Sequence, residues 1–175
     1  MAFTSKSLGS EAYNLCAVEM ARASREHSVP LGLLYAVAMT ETAQRGALQP
    51  YAMNIDGKPT FSQSLKEAEQ LFFTAKAGGA RFIDIGCMQI NHHYHMARFA
   101  SITDMFDPRQ NVIYAAQLLQ KLRISEGSWT AAIARYHASP QNSHAQANYV
   151  CAVIKNMIAS GFGSSTPQSR AFCKL

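Results

Sequence analysis

The stretch VPLGLLYAVAMTET, residues 29–42, is apolar on nearly every face of a helix and carries one charged residue, Glu41. Ser28 and Pro30 are typical of a helix start, so the stretch predicts a helix that begins there and ends before Gly46. No apolar run in the chain reaches the roughly 18 residues that a membrane-spanning helix requires. The stretch therefore predicts a buried helix in a globular core.

Helical patterns continue on both sides of this stretch. We expect Ser10 to cap a first helix that runs to about His27, and residues 64–77 to form a third helix that ends at Gly78. The remaining predicted helices are a short one at residues 94–100, one that opens at Asp107-Pro108, one that follows Ser128 through WTAAIARYH, and one over residues 142–159.

A short extended segment interrupts the helices. Asp56-Gly57, within residues 52–61, is typical of a β-hairpin turn. Residues 80–91 are predicted to be extended or irregular, and the tail at residues 161–175 is predicted to be loop-like. The predicted fold class is mainly α. We expect residues 1–175 to form a single helical domain, with its core at about residues 10–160 and one small β-hairpin.

Composition and charge exclude several classes of protein. A chain of 175 residues that is 48% apolar and 15% charged is typical of one globular domain and not of a disordered segment. The net charge of +5 and the pI of about 9.1 favour polyanionic partners, such as the acidic bacterial wall. Because the basic residues are scattered, nucleic acid is not an expected partner.

The N-terminus and the cysteines bear on the compartment. MAFTSKSLGS contains no apolar signal segment, so the chain is either cytosolic or a mature form whose signal was removed and a start methionine added. Four scattered cysteines without CxxC or zinc-finger spacing favour two disulfides in an oxidising compartment. Four free thiols in a cytosolic protein are the alternative.

Glu41 is the leading candidate for chemistry. Apolar surroundings and the negative end of a helix both disfavour a carboxylate, so both raise its pKa. A carboxyl that stays protonated near neutral pH can act as a general acid. The alternative is an exposed glutamate in a fraying last turn.

Four motifs in order resemble the soluble lytic transglycosylase domain, which is related to goose-type lysozyme. They are VPLGLLYAVAMTET, IDIGCMQIN, DPRQNVIYAAQLLQKL and SWTAAIARYHAS, and the resemblance covers about residues 15–155. It implies an α+β lysozyme-like fold with the hairpin beside an active-site cleft. It also implies that Glu41, followed by Thr42, is the catalytic glutamate.

The chain departs from the family pattern at three motif positions. Cys87 stands where leucine is usual, and His137 and Ser139 stand where asparagine and glycine are usual. GCMQIN resembles a bacterial subgroup in which a cysteine before the second helix accompanies the one in this motif. The resemblance therefore implies the disulfide Cys16–Cys87, and Cys151 is then available to hold the tail through Cys173.

Glycan recognition needs uncharged hydrogen-bonding groups and flat apolar surfaces. Amides, phenols and one thioether near the motifs supply them, and Met88 is expected to form an apolar wall facing the sugar. The resemblance brings a second tyrosine, Tyr149, close to the glutamate. Each residue alone is equally typical of ordinary packing. The expected substrate-binding residues are Thr42, Asn54, Met88, Gln89, Asn91, Tyr136, His137 and Tyr149.

His92, His93 and His95 raise the possibility of a metal site. In a helix, His92 and His95 share a face and His93 points elsewhere, and the chain has no HExxH or comparable ligand spacing. We therefore expect no metal and no cofactor. The alternative reading is a polar helix start, with one histidine lining the cleft.

The resemblance implies cleavage of the MurNAc–GlcNAc β-1,4 bond of peptidoglycan. Asn91 stands where goose-type hydrolases carry an aspartate, which favours a lytic transglycosylase that forms 1,6-anhydromuramoyl products. One alternative is a hydrolytic muramidase that uses water, with Asp84 as the second carboxyl. Another is an inactive glycan-binding module or scaffold of an envelope machine.

The expected partners and compartment follow from this interpretation. We expect a monomer in the periplasm or outside the cell that binds peptidoglycan glycan strands. Small members of the family often serve a flagellum or a secretion system, so a component of such a machine is a further expected partner.

Overall fold

Two helices open the described part of the chain. The computed structural model describes residues 14–42 and 47–174, in which α1 spans Leu15–His27 and α2 spans Leu31–Thr42. Asn14, not Ser10, caps α1, because its side chain accepts a hydrogen bond from the first turn. The predicted start of α1 was therefore wrong, and Ser10 itself lies outside the described residues. Helix α2 contains the apolar stretch and is buried on several faces.

The predicted hairpin forms and belongs to a larger antiparallel sheet. Its strands are β1 (Ala52–Ile55) and β2 (Lys58–Phe61), and two further strands, β3 (Ile83–Ile85) and β4 (Ile90–Asn91), complete the order β2-β1-β3-β4. Asp56 and Gly57 both have positive φ, of 46° and 87°, which suits a two-residue hairpin turn. Residues 80–91, which were predicted to be extended or irregular, therefore contain two of the four strands, β3 and β4.

The segment between the sheet and the long C-terminal helices contains short helices. Helix α3 spans Leu65–Ala77 as predicted, with Ser64 as its cap. The helix predicted at residues 94–100 lies earlier and is divided into α4 (His92–His95) and a 3₁₀ turn. A further helix, α5 (Ile102–Phe106), was not predicted and is capped by the Ser101 side chain.

Three further helices follow, and each begins within one residue of its predicted start. They are α6 (Pro108–Glu126), α7 (Trp129–His137) and α8 (Ser143–Ala159), which Asp107, Ser128 and Asn142 cap. The tail corrects a prediction, because it forms a short helix, α9 (Pro167–Cys173), instead of a loop. Thr166 and Ser169 form a reciprocal capping box there, which is a local reason for the helix.

Contacts between helices connect α2 to α6 through α1. Helix α2 packs against α1 and α8, while α6 packs against α1 and α7. Helices make up 65% of the described residues, in agreement with the mainly α fold class. The single-domain organisation stays a prediction. None of the helices in the described ranges is long and apolar enough to cross a membrane.

Two disulfides tie distant parts of the chain together. The structure contains the pairs that the resemblance implied, Cys16–Cys87 and Cys151–Cys173. The first links α1 to the turn between β3 and β4, and the second links α8 to the end of α9. Cys16 and Cys87 are fully buried, so the first disulfide is part of the core.

Candidate active site

A cleft of about 350 Å³ lies where the last turn of α2, the sheet and the end of α7 meet. Its size falls in the range of small-molecule sites. Uncharged polar side chains dominate its walls. The lining residues are Glu41, Asn54, Asp84, Gln89, Ile90, Asn91, Tyr94, His95, Leu118, Tyr136 and His137.

Glu41 lies in this cleft at the end of α2. The surrounding protein desolvates its carboxyl group, and burial is the main cause that raises its pKa to about 7. A hydrogen bond from Tyr149 lowers this pKa, and the nearby Asp84 raises it. The residue keeps partial exposure on the cleft side, so it is accessible to a ligand. At neutral pH, both protonation states of Glu41 are populated.

Tyr149 lies behind the Glu41 carboxyl group. Its hydroxyl donates to Glu41 Oε1 over 2.5 Å, and its side chain is only 5% exposed. Burial raises the pKa of Tyr149 well above its usual value, which keeps the hydroxyl a donor. Tyr149 thus lies close to Glu41, as the resemblance implied, and its contact with substrate stays a prediction. Tyr149 orients the carboxyl group.

His137 supports Tyr149 from the cleft side. The two rings are parallel, with 3° between their planes and 4.1 Å between their centroids. Burial lowers the pKa of His137, so its neutral form is favoured. His137, which stands where the family usually has asparagine, thus connects the cleft surface to the tyrosine that holds Glu41.

The turn between β3 and β4 is anchored by a buried asparagine. Asn111 donates to the carbonyl oxygens of Ile85 and Met105 and accepts from the Met88 N–H, each over 2.9 Å. Gly86 has a φ of +79°, and a Cβ atom there would lie 2.7 Å from Asn111 Nδ2. Only glycine fits this position without displacing Asn111.

Met88 corrects a prediction. We expected its side chain to form a wall facing the sugar, but it is 0% exposed and packs in the core. The reason is that the Asn111 contact fixes the Met88 backbone with the side chain turned inward. The backbone still serves the cleft, because the Met88 carbonyl accepts from the Tyr136 hydroxyl over 2.8 Å.

Thr42 corrects a second prediction. Its side chain is buried, and its hydroxyl donates to the Ala38 carbonyl one turn earlier over 3.0 Å. The Thr42 hydroxyl therefore donates its hydrogen within α2 and not to a group in the cleft. Thr42 is not among the described residues that line the cleft.

Gln89 and Tyr136 hold the cleft wall in place. Gln89 has a φ of 47°, and its amide donates to the carbonyl oxygens of Ala52 and Gly86. Burial raises the pKa of Tyr136 well above its usual value, so the phenol stays neutral. Both residues line the cleft, as the sequence predicted, and both also fix the backbone beside it.

A polar row crosses the sheet opposite these residues. Asp84 pairs in register with Asn54 on one side and with Asn91 on the other. Asn91 donates to Asp84 Oδ1 over 2.6 Å, while burial raises the pKa of Asp84. Within the described residues, the Oδ1 atoms of Asn54 and Asn91 are buried without a hydrogen-bond partner. These atoms can accept from hydroxyl or acetamido N–H groups of a ligand.

The three histidines point in different directions. His92 packs against Phe72, His93 against Phe82, and the Nδ1 atom of His95 lies 2.8 Å from the Tyr114 hydroxyl. Across residues 14–42 and 47–174, no three histidine, cysteine or acidic side chains are grouped as metal ligands would be. Of the three, His95 lines the cleft.

The comparison with protein families draws on the same segments. The family model described as Transglycosylase SLT domain matches residues 19–157. The chain belongs to this family. The matched segment contains Glu41, the anchored turn and the end of α7. Searches of curated proteins and of solved structures found no match.

Membership of the SLT transglycosylase family supports cleavage of glycosidic bonds in peptidoglycan, a substrate that lies outside the cytoplasm. Assignment to a GCMQIN subgroup stays a prediction.

Sequence reasoning missed several residues of the cleft. Leu118 lies seven residues after Asn111 on α6, so helical spacing could have placed it on the same face. Ile90 and Tyr94 also line the cleft, and no sequence pattern singled them out. Their position depends on the pairing of β3 with β4.

Proposed function

We propose that the chain is a lytic transglycosylase that cleaves the MurNAc–GlcNAc β-1,4 bond with Glu41 as the only proton donor and acceptor. The observation that carries this proposal is the desolvated carboxyl of Glu41 in the cleft, whose pKa is raised to about 7. Such a group can give a proton and take one back near neutral pH.

In the first step, protonated Glu41 donates its proton to the glycosidic oxygen as the bond to the muramoyl C1 breaks. Positive charge develops at C1, and the substrate's own N-acetyl oxygen helps to stabilise it. In the second step, the muramoyl O6 attacks C1, and the Glu41 carboxylate accepts the O6 proton. Glu41 is regenerated, and the products are a GlcNAc with a free 4-hydroxyl and a 1,6-anhydromuramoyl end.

A hydrolytic muramidase is the second candidate, because Asp84 shares the cleft with Glu41 and raises its pKa. In hydrolysis, a carboxylate other than the acid positions water or stabilises the charge at C1. Against this role, one oxygen of Asp84 already accepts from Asn91 and its own pKa is raised by burial. The hydrogen bond from Asn91, which lowers the pKa that burial raises, favours a structural role for Asp84 within the sheet.

The test is digestion of purified peptidoglycan in H₂¹⁸O, followed by mass analysis of the muropeptides. A transglycosylase gives anhydro ends that are one water lighter than hydrolysis products, resist borohydride reduction and contain no ¹⁸O. Reducible ends that carry ¹⁸O would instead establish a hydrolase, and Asp84→Asn should then abolish activity.

Glu41→Gln tests the catalytic glutamate. Loss of activity by at least ~10²-fold, with retained fold and glycan binding, supports the enzyme. Glu26→Gln, at an exposed position on α1, is the matched control and should leave activity unchanged. If the wild-type chain binds glycan but releases no product, the chain is a binding module or scaffold.

We further propose that the protein is a monomer that acts in the periplasm or outside the cell. The two disulfides support an oxidising compartment. Service to a flagellum or secretion system rests on the family resemblance alone. Cleavage near such a machine would open a local gap in the wall for its assembly.

A further inference from the structure

Two aromatic rings are exposed at the outer end of the cleft. Tyr94 on α4 is 67% exposed and Phe82, just before β3, is 38% exposed. Together with the exposed His93 they form a continuous group, which we call the aromatic platform (Phe82, His93 and Tyr94). Exposed apolar groups of this kind mark binding surfaces more often than isolated exposed residues do.

The rings of the aromatic platform support one another. Phe82 and Tyr94 are stacked with 26° between their planes and 6.0 Å between their centroids. The His93 ring meets both edge-on, at 5.5 Å from Phe82 and 4.8 Å from Tyr94. The platform is therefore organised before any ligand binds, which reduces the entropy lost on binding.

The hairpin turn fixes the base of the aromatic platform. The Asp56 carboxylate accepts from the Phe82 N–H over 2.9 Å and also from the Arg81 N–H. The Asp56 N–H in turn donates to the Phe82 carbonyl over 2.9 Å. The turn between β1 and β2 thus holds the backbone of Phe82 at two points and that of Arg81 at one.

The platform is continuous with the catalytic cleft. Tyr94 lines the same cleft as Glu41 and Asn91, and Phe82 extends the apolar surface outward from it. Pyranose rings have flat faces of C–H bonds with slight positive charge, and these faces pack well on the negative face of an aromatic ring. A glycan strand that runs through the cleft would meet the platform next.

Charge at the platform suits the same ligand. The exposed Arg81 guanidinium lies 5.6 Å from the Phe82 ring centroid. Alternate sugars of wall glycans carry carboxylates, on the stem peptide or, where that peptide has been removed, on the lactyl group, and an arginine can pair with a carboxylate. Both the apolar faces and the charge of the ligand are therefore matched.

We propose that the aromatic platform is a distal saccharide-binding site that holds the glycan strand beyond the residues cleaved at Glu41. The inference rests on the proposed function for its ligand. It assigns the extra contact to sugar rings that stack on Tyr94 and Phe82, with Arg81 beside their carboxylates. The site would favour long strands over short fragments.

The experiment measures binding of glycan strands, freed of cross-links and sorted by length, to the Glu41→Gln chain by calorimetry. Tyr94→Ala and Phe82→Ala, each in that background, should weaken binding of long strands by roughly 3- to 10-fold, and the loss should grow with strand length. Tyr94→Phe keeps the ring and should bind like its parent. Phe172→Ala, an exposed aromatic residue on α9, is the matched control.

The outcomes separate the two proposals. If the wild-type chain cleaves strands but the Tyr94 and Phe82 variants bind every length like their parent, the platform proposal is overturned and the proposed function stands. If glycan binds without cleavage, the proposed function fails, and the length dependence still decides the platform. If no glycan binds, both proposals fail.

Discussion

At the scale of single residues, Glu41 and Tyr149 show how opposing effects set one pKa. Burial disfavours the Glu41 carboxylate, while the Tyr149 hydroxyl stabilises it through a hydrogen bond. Burial has the larger effect, so the pKa rises to about 7. A carboxylate in water would be ionised at that pH and could not supply a proton.

The pH dependence of activity follows from this pKa. Free enzyme must carry a protonated Glu41 to begin the reaction, so kcat/KM should fall as pH rises through about 7. The measurement is initial rates on soluble glycan strands at pH 5 to 9, with folding checked at each pH. Constant kcat/KM up to pH 9 would contradict the acid role.

Tyr149→Phe should shift this profile in a defined direction. The Tyr149 hydrogen bond lowers the pKa of Glu41, so removing it should raise that pKa and move the falling limb of kcat/KM to higher pH. Tyr35→Phe, on α2 and outside the cleft, serves as the control and should keep the wild-type limb. A limb that moves to lower pH would show that Tyr149 does not stabilise the carboxylate.

Stability should depend on pH through the same group. Glu41 titrates near its ordinary 4.5 in the unfolded chain and at about 7 in the folded one. Between these values the unfolded chain releases a proton that the folded chain keeps, so rising pH favours unfolding. Glu41→Gln removes this effect. The free energy of unfolding of Glu41→Gln minus that of wild type should therefore increase from pH 4.5 to 8, and a constant difference would argue against a desolvated carboxyl.

At the scale of secondary-structure elements, the sequence predicted helices, which depend on local signals, better than strands, which depend on pairing with distant residues. Asp107 and Ser128 begin helices as expected because capping acts within one turn. The sequence could not distinguish β3 and β4 from irregular structure. These strands have three and two residues, which is too short for an alternating pattern to be recognised. Strand β3 depends on pairing with β1, about 30 residues earlier in the chain, and β4 depends on pairing with β3.

The anchored turn between β3 and β4 contains Gly86, and Gly127 at the end of α6 provides a matched control for its substitution. Gly86 and Gly127 share a φ of +79°, but a Cβ atom would meet Asn111 at Gly86 and open space at Gly127. Backbone strain alone should destabilise Gly127→Ala by about 1 kcal/mol. Gly86→Ala should lose roughly 3 kcal/mol or more, because a buried asparagine must also move. Urea unfolding of both variants tests this, and equal losses would exclude the role assigned to Asn111.

At the scale of the whole molecule, the sequence predicted which segments meet better than how side chains point. Glu41, Gln89 and Tyr136 were placed in one cleft from motif order, and the structure has them there. The directions of Thr42 and Met88 were wrong, since each depends on a contact that motif order does not contain. The family resemblance brought Tyr149 close to Glu41, and the structure has the two in contact, although no local pattern could join residues 108 positions apart.

The two disulfides should contribute differently to the whole molecule. Closing the loop of 71 residues between Cys16 and Cys87 is worth about 4 kcal/mol, against about 3 kcal/mol for the 22 residues between Cys151 and Cys173. Replacing Cys16 and Cys87 by serine should therefore lower the free energy of unfolding more. It should also reduce wall lysis in folded protein, because Cys87 lies in the turn that carries Gln89.

Replacing Cys151 and Cys173 by serine should release α9 and leave lysis near the wild-type rate, since α9 contributes no residue to the cleft. Urea unfolding and lysis are measured for both variants at a temperature where each is folded. If lysis were lost on breaking Cys151–Cys173 and retained on breaking Cys16–Cys87, the link between activity and the Cys16–Cys87 disulfide would be wrong. The site would then depend on the position of α8 and not on the anchored turn.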